Sequence, residues 1–271
     1  MNRAVVLKTA RDTFWLALVA TVGIMLFEML FVRAMREVPV EIANYWLGHK
    51  VFSRLIEALV GARLAENLTP TTLVTIGFAH PLVFALTWAL LLTVCTRVIV
   101  GEIERGTADL LLTLPISRTR IYLSTSVVWM LAGIPVSLAP WLGMCLAQRF
   151  VPLWEPIDLQ RLAMLPVNLY LLYLSIGSSA TLVSSLTSRR GAAVAIVLTA
   201  LLASFVLNFL SALWPAAKHV AFVGILNYYQ PLPMARDGVW PIGHLAALAG
   251  FALAAWLAGL IIFRRRDIPA A

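Results

Sequence analysis

The sequence predicts an all-α fold: a polytopic membrane helix bundle of six transmembrane helices with both termini in the cytoplasm. Three observations predict it. Of 271 residues, 61% are apolar and only 13% are charged, with a mean hydropathy of +0.88. A soluble domain of this size must keep a polar surface, which this composition cannot supply. Six runs reach the roughly 20 apolar residues that a helix needs to cross a hydrocarbon core of about 30 Å. Lys and Arg are about twice as dense on the side that holds the termini as on the other, which places that side in the cytoplasm. The composition excludes a soluble enzyme, a disordered chain and a fibrous protein. Two cysteines with no Cys-x-x-Cys exclude a disulfide scaffold. The net charge of +8 reads as topogenic, not as a nucleic-acid footprint.

In chain order the spans are 14–32, 73–96, 121–146, 162–186, 192–214 and 242–263, in one transmembrane domain over 1–271. Glu28 is their only formal charge. Helix is the state that satisfies backbone groups where lipid offers no partner. The first run has a basic start at Arg3, Lys8 and Arg11, but Arg33 and Arg36 stand where a cleavage site would need small residues, so it reads as a permanent helix. Pro81, Pro135, Pro140 and Pro166 read as kinks within spans. The sixth run carries Ala246, Gly250, Ala254 and Ala258 at every fourth position, a smooth stripe for close helix packing. Arg264, Arg265 and Arg266 close it as a stop signal.

Between the spans, Val51, Leu55, Leu59 and Ala62 recur at helical spacing in the outer segment 33–72. They predict an amphipathic helix, lying either on the membrane surface or against the bundle. Tyr228, Tyr229 and Trp240 suit an outer interfacial belt. Cys95 and Cys145 fall near opposite membrane faces, too far apart for a disulfide.

Little of the sequence carries catalytic chemistry. The four histidines are scattered and no metal-ligand set is formed. Gly101 and Gly106 have the spacing that opens a phosphate loop, but Thr107 stands where lysine is required. Gly177-Ser178-Ser179-Ala180-Thr181 lacks the second glycine of a nucleophile elbow. No residue is assigned as catalytic and none as a metal ligand. Glu28, by contrast, is an acid inside a span and so a functional candidate by default. It falls about 6 Å short of the outer boundary. It either snorkels outward or lies on a substrate path.

The segment 97–120 is the one sizeable cytoplasmic loop. Thr107 is suited to cap a short helix over 108–113, Asp109 complements its dipole, and Pro115 closes it. Leu110, Leu111 and Leu112 are too few to span and too apolar to leave in water. They are read as a docking face for a cytosolic protein, oriented by Glu102, Glu104 and Arg105, or as a loop folded back on its own bundle.

The run from Gly101 to Arg118, Gly-Glu-Ile-Glu-Arg-Gly-Thr-Ala-Asp-Leu-Leu-Leu-Thr-Leu-Pro-Ile-Ser-Arg, resembles the signature between the second and third spans of ABC type-2 permeases. These are membrane subunits of bacterial type V ABC exporters. The stretch Asn227-Tyr228-Tyr229-Gln230-Pro231 before the last span is also similar. The resemblance implies a permease subunit in the bacterial inner membrane, paired with a second permease as a homodimer or heterodimer. It implies a coupling helix that docks on two copies of a separate ATP-binding subunit. It carries that docking role onto Glu102, Glu104, Arg105, Gly106, Thr107, Leu110, Leu111 and Leu112. ATP and Mg would sit on the partner, with no cofactor on this chain and no nucleic-acid partner. An integral membrane enzyme acting on a lipid-linked substrate is the alternative; it needs polar residues converging at one depth, and the spans offer only scattered Asn168, Asn208 and the 177–181 cluster.

Overall fold

A computed structural model describes residues 2–37, 45, 49, 69–97, 99–104, 117–150 and 156–266. The described residues are all-α, and six of the helical stretches are long and apolar enough to cross a membrane: Arg3–Arg36, Thr71–Arg97, Arg118–Phe150, Leu159–Leu186, Arg190–Leu213 and Ile242–Arg265. They are called the first to sixth spans below. The predicted amphipathic helix over 51–62 and the predicted helix over 108–113 lie outside the described residues.

Hydrogen bonds at the span ends give the topology. At one face, the Asn2 amide donates to Ser124 Oγ at 2.9 Å, joining the starts of the first and third spans. Arg118 donates to the carbonyl of Arg266, which adds the end of the sixth. Arg266 in turn donates to the carbonyls of Ser185 at 3.1 Å and Thr187 at 2.7 Å, at the end of the fourth. Arg190, opening the fifth span, donates through Nε to Thr96 Oγ1 at 3.1 Å, near the end of the second. The starts of odd spans and the ends of even spans therefore share one face, the terminal face. At the opposite face, Tyr229 Oη donates to the Phe78 carbonyl at 3.0 Å and the Gln230 amide donates to Asn168 Oδ1 at 3.1 Å.

The helices outrun the apolar runs that predict them. The first covers 34 residues, with Asn2 Oδ1 accepting from the amides of Ala4 and Val5 at its start and Arg33 and Arg36 in its last turn. At 1.5 Å per residue it is about 50 Å long. Hydropathy reports where the chain crosses hydrocarbon; the helical ladder continues into the polar flanks. Two spans are instead interrupted near the opposite face. The second begins as Pro70–Thr75, capped by a reciprocal Thr69–Thr72 pair, tightens to a 3-10 turn over Ile76–Ala79, and restarts at Pro81. The fourth begins as Leu159–Leu162 under Asp158 and restarts as Leu165–Leu186 with Pro166 in its first turn. Pro81 and Pro166 thus start helices, where a missing N–H goes unnoticed. Of the four prolines read as kinks, Pro135 and Pro140 lie inside a helix.

The most extensive packing joins the first span to the third and the fourth to the sixth. Polar ties thread the apolar core. Tyr173 Oη donates to the Trp129 carbonyl at 2.8 Å, Tyr122 Oη to the Trp256 carbonyl at 2.9 Å, and Ser175 Oγ to the Leu248 carbonyl at 2.9 Å. The fifth span buries only Ala193, Val197, Leu201 and Ser204, one stripe on an otherwise outward-facing helix.

Two packing expectations are corrected. The sixth span buries Leu248, Ala252, Ala255, Gly259 and Phe263. The stripe at Ala246, Gly250 and Ala254 points away from the bundle, and a Cβ placed on Gly250 would meet nothing within 4 Å. Alanine abounds on both faces; Gly259, against the backbone of Leu182, is where close approach occurs. Tyr229 is likewise not a belt residue: it is buried, because the segment 215–241 folds back onto the bundle. Trp240 is exposed, as a belt residue would be.

Candidate functional site

Two places in the fold hold the residues singled out by sequence. The first is the terminal face beside the loop 97–120. After the second span ends, the short helix Ile99–Glu104 carries Gly101, Glu102 and Glu104. Gly101 is therefore in helix, not in a phosphate-binding turn. Glu104 is exposed, and its Oε2 accepts from the backbone amide of Arg190 at 3.0 Å. That amide opens the fifth span, one of the donors left over at a helix start, and a carboxylate there meets the positive end of the helix dipole. The same Arg190 reaches Thr96 through its guanidinium, and Thr96 Oγ1 donates to the Leu92 carbonyl at 2.6 Å. Beside it Arg97 pairs with Asp12 of the first span at 3.5 Å. The start of the loop is thus tied to three spans. Arg105, Gly106, Thr107, Leu110, Leu111 and Leu112 lie outside the described residues.

Arg190, Thr96 and the Asp12–Arg97 pair were not singled out by sequence reasoning. The signal was present in the Ser188-Arg189-Arg190-Gly191 turn, which reads as topogenic charge and not as a partner for an acid 86 positions away.

The second place is Glu28, in the part of the first span toward the opposite face. It does not snorkel. Its side chain is 0% exposed and neither carboxylate oxygen has a hydrogen-bond partner among the described residues. The helix runs eight residues past it to Arg36, about 12 Å, and the packing around the carboxyl, not its depth, closes the way outward. Arg33, one turn on from Met29, pairs instead with Glu37 beyond the helix end, and that exposed pair holds the Glu37 carboxyl below its ordinary range.

Two glycines make room for Glu28. A Cβ on Gly77, in the 3-10 break of the second span, would fall on both carboxylate oxygens. A Cβ on Gly143, in the third span, would lie 2.8 Å from Glu28 Cβ and closer still to the Met25 carbonyl. Sequence showed the acid but not this cradle, which comes from segments far along the chain.

The polar residues named for a membrane enzyme do not converge. Thr181 Oγ1 donates to the Ser178 carbonyl at 2.9 Å and Ser179 Oγ to the Ser175 carbonyl at 2.9 Å, within their own helix. Asn168 accepts from Gln230 at the other end of that span, and Asn208 is on the fifth. Cys95 and Cys145 are both free thiols. Among the described residues no group of three or more His, Cys, Asp or Glu is placed to hold a metal ion.

No family model matches the chain, and no curated protein matches it either. Composition, fold and end-to-end hydrogen bonding together establish a multi-pass, all-α membrane protein with six spans.

Proposed function

We propose that the chain is the permease subunit of an ATP-driven exporter of the ABC type-2 kind, in a bacterial inner membrane. In this reading two separate ATP-binding subunits, carrying ATP and Mg, dock on the loop 97–120. A second permease subunit completes the translocation unit. Closure of the ATPases on ATP moves the docking loops, and the paired bundles switch access from one face to the other.

The observation that supports this most is the contact of Glu104 with the first turn of the fifth span at 3.0 Å. Glu104 belongs to the resembling run 101–118, just ahead of the apolar leucines. A force on the loop would be felt by the fifth span through this contact, and by the first and second through Arg97 and Asp12. A loop placed only to connect two helices has no need of such ties. Asp12 and Arg97 are partly exposed, and exposed pairs of this type contribute at most about 1 kcal/mol. They suit a joint that must yield.

The test is purification of the chain from its own host with a mild detergent. A permease should bring down an ATPase in a ratio near one to one and support ATP hydrolysis in vesicles. Recovery of the chain with no ATPase at any detergent strength would remove the proposal.

A further inference from the structure

The orphan carboxyl of Glu28 calls for an account that coupling to ATP does not provide. It is fully buried, walled by the backbone at Gly77 and Gly143, and without a hydrogen-bond partner among the described residues. Among the described residues, the elements around it offer no cation within bonding reach. On the second span stand His80, Cys95 and Arg97; on the third, Arg118, Arg120, Tyr122, Cys145 and Arg149; on its own helix, Arg33 and Arg36 toward one end and Asp12, Arg11, Lys8 and Arg3 toward the other. Tyr229, from the folded-back segment, uses its hydroxyl on the Phe78 carbonyl. Taking an ionised carboxylate out of water without a partner is prohibitively unfavourable, so this arrangement requires the neutral acid.

The site lies at a joint. The second span breaks at Ile76–Ala79, directly against the carboxyl, and resumes after His80, whose backbone is extended. A 3-10 turn within a longer helix is a common place for a chain to bend. In the packed arrangement the acid has no acceptor for its own O–H. It gains partners only if the joint parts and water enters.

We propose that Glu28 is a proton-binding site whose proton is released to water when the joint between the first span, the break in the second span and the third span opens. On opening, the carboxyl O–H bond breaks, its electron pair stays on the carboxylate and the proton passes to water. Closing reverses each step. Because the packed form holds the proton and the open form does not, raising the pH favours opening. The inference does not rest on ATPase docking and survives if that reading fails.

The experiment uses the full chain in phosphatidylcholine vesicles, with Cys95→Ser and Cys145→Ser as background. Infrared spectra of this protein and of the same protein carrying Glu28→Gln are compared across pH. A thiol introduced by Ala79→Cys reports opening through its rate of reaction with a membrane-impermeant maleimide. The expected result is a carboxylic-acid carbonyl band that Glu28→Gln abolishes and that fades as pH rises. Each rate is divided by that of a fully exposed reference thiol, which carries the pH dependence of the thiolate itself. The normalised rate should rise by about tenfold per pH unit while the open form is minor, the slope for loss of one proton. In Glu28→Gln, which mimics the neutral acid, the normalised rate should be low and flat with pH. In Gly77→Ala, whose Cβ displaces the carboxyl, it should be high at every pH. The proposal is overturned if wild type lacks an acid band that Glu28→Gln removes. It is equally overturned if the reaction rate has the same pH dependence in wild type and Glu28→Gln.

Discussion

Gly133→Ala should destabilise the bundle, whereas Gly250→Ala should not. Gly133 is on the third span, and a Cβ there would lie 2.9 Å from Tyr173 Cζ and nearer still to Cε1 and Cδ1. Tyr173 is 1% exposed, so its ring has nowhere to retreat, and its hydroxyl holds the Trp129 carbonyl at 2.8 Å. Forcing a methyl into a filled core costs about 1–3 kcal/mol. Losing an interhelical hydrogen bond within a membrane costs roughly 0.6–1.7 kcal/mol more. Alanine regains about 0.8–1.0 kcal/mol of helix propensity over glycine. Gly250, on the outward face of the sixth span, has the propensity gain alone. The difference between the two variants cancels that gain and isolates about 1.6–4.7 kcal/mol of overpacking and lost bonding. Reversible unfolding in mixed micelles, with both variants measured against wild type, reads it directly. Equal stabilities would refute the packing of the third span on the fourth.

Other consequences are as open to measurement. A cysteine introduced near Lys50 should react with an impermeant thiol reagent only from outside, and one near Arg190 only from inside; the reverse would overturn the orientation drawn from charge. Peptide mapping without reductant should find Cys95 and Cys145 unlinked within one chain, and an intrachain bridge would contradict the placement of the second and third spans. Arg266→Ala should raise amide exchange at the 187–189 turn, because the guanidinium bridges the carbonyls of Ser185 and Thr187. Burial lowers the affinity of that guanidinium for its proton. Arg266→Lys, a point charge without the planar fork, should fall between alanine and wild type, and unchanged exchange in the alanine variant would argue against the tie.

The bundle itself was legible because lipid leaves a long uncharged run only one stable state. Six such runs required six helices, whatever their side-chain detail. Helix ends were not legible, since hydropathy falls where the first span leaves hydrocarbon but its hydrogen bonds continue from Arg3 to Arg36. The break at Ile76–Ala79 carried a local signal, Thr69-Pro70 ahead of a helix restart at Pro81. That signal was masked by the apolarity of the run containing it. Glu28 was legible as an oddity, but that it does not snorkel was not: whether an acid snorkels depends on what packs over it, and Gly77 and Gly143 come from distant segments. The stripe on the sixth span failed for a related reason. Period-four alanine occurs on two faces of one helix, and it is the neighbouring Tyr122 hydroxyl and Leu182 backbone that choose Gly259 over Gly250. At the terminal face, Glu104 stood out while Arg190, its partner, read as one more positive-inside charge.

The proposed function turns on the loop 97–120. Leu111→Asp sets a charge on the predicted docking face, where burial without a partner costs several kcal/mol. Glu104→Arg reverses the charge that holds the fifth span, and Glu57→Arg in the outer segment is the matched control. The direct measurement is the amount of ATPase copurified per permease, with ATP hydrolysis in vesicles read alongside. All three variants should insert normally. Leu111→Asp should lose most of the partner, Glu104→Arg should lose less of it but uncouple hydrolysis, and Glu57→Arg should match wild type. Full retention of the ATPase and of coupled hydrolysis by both loop variants would contradict the assignment of residues 102–112 as the coupling contact.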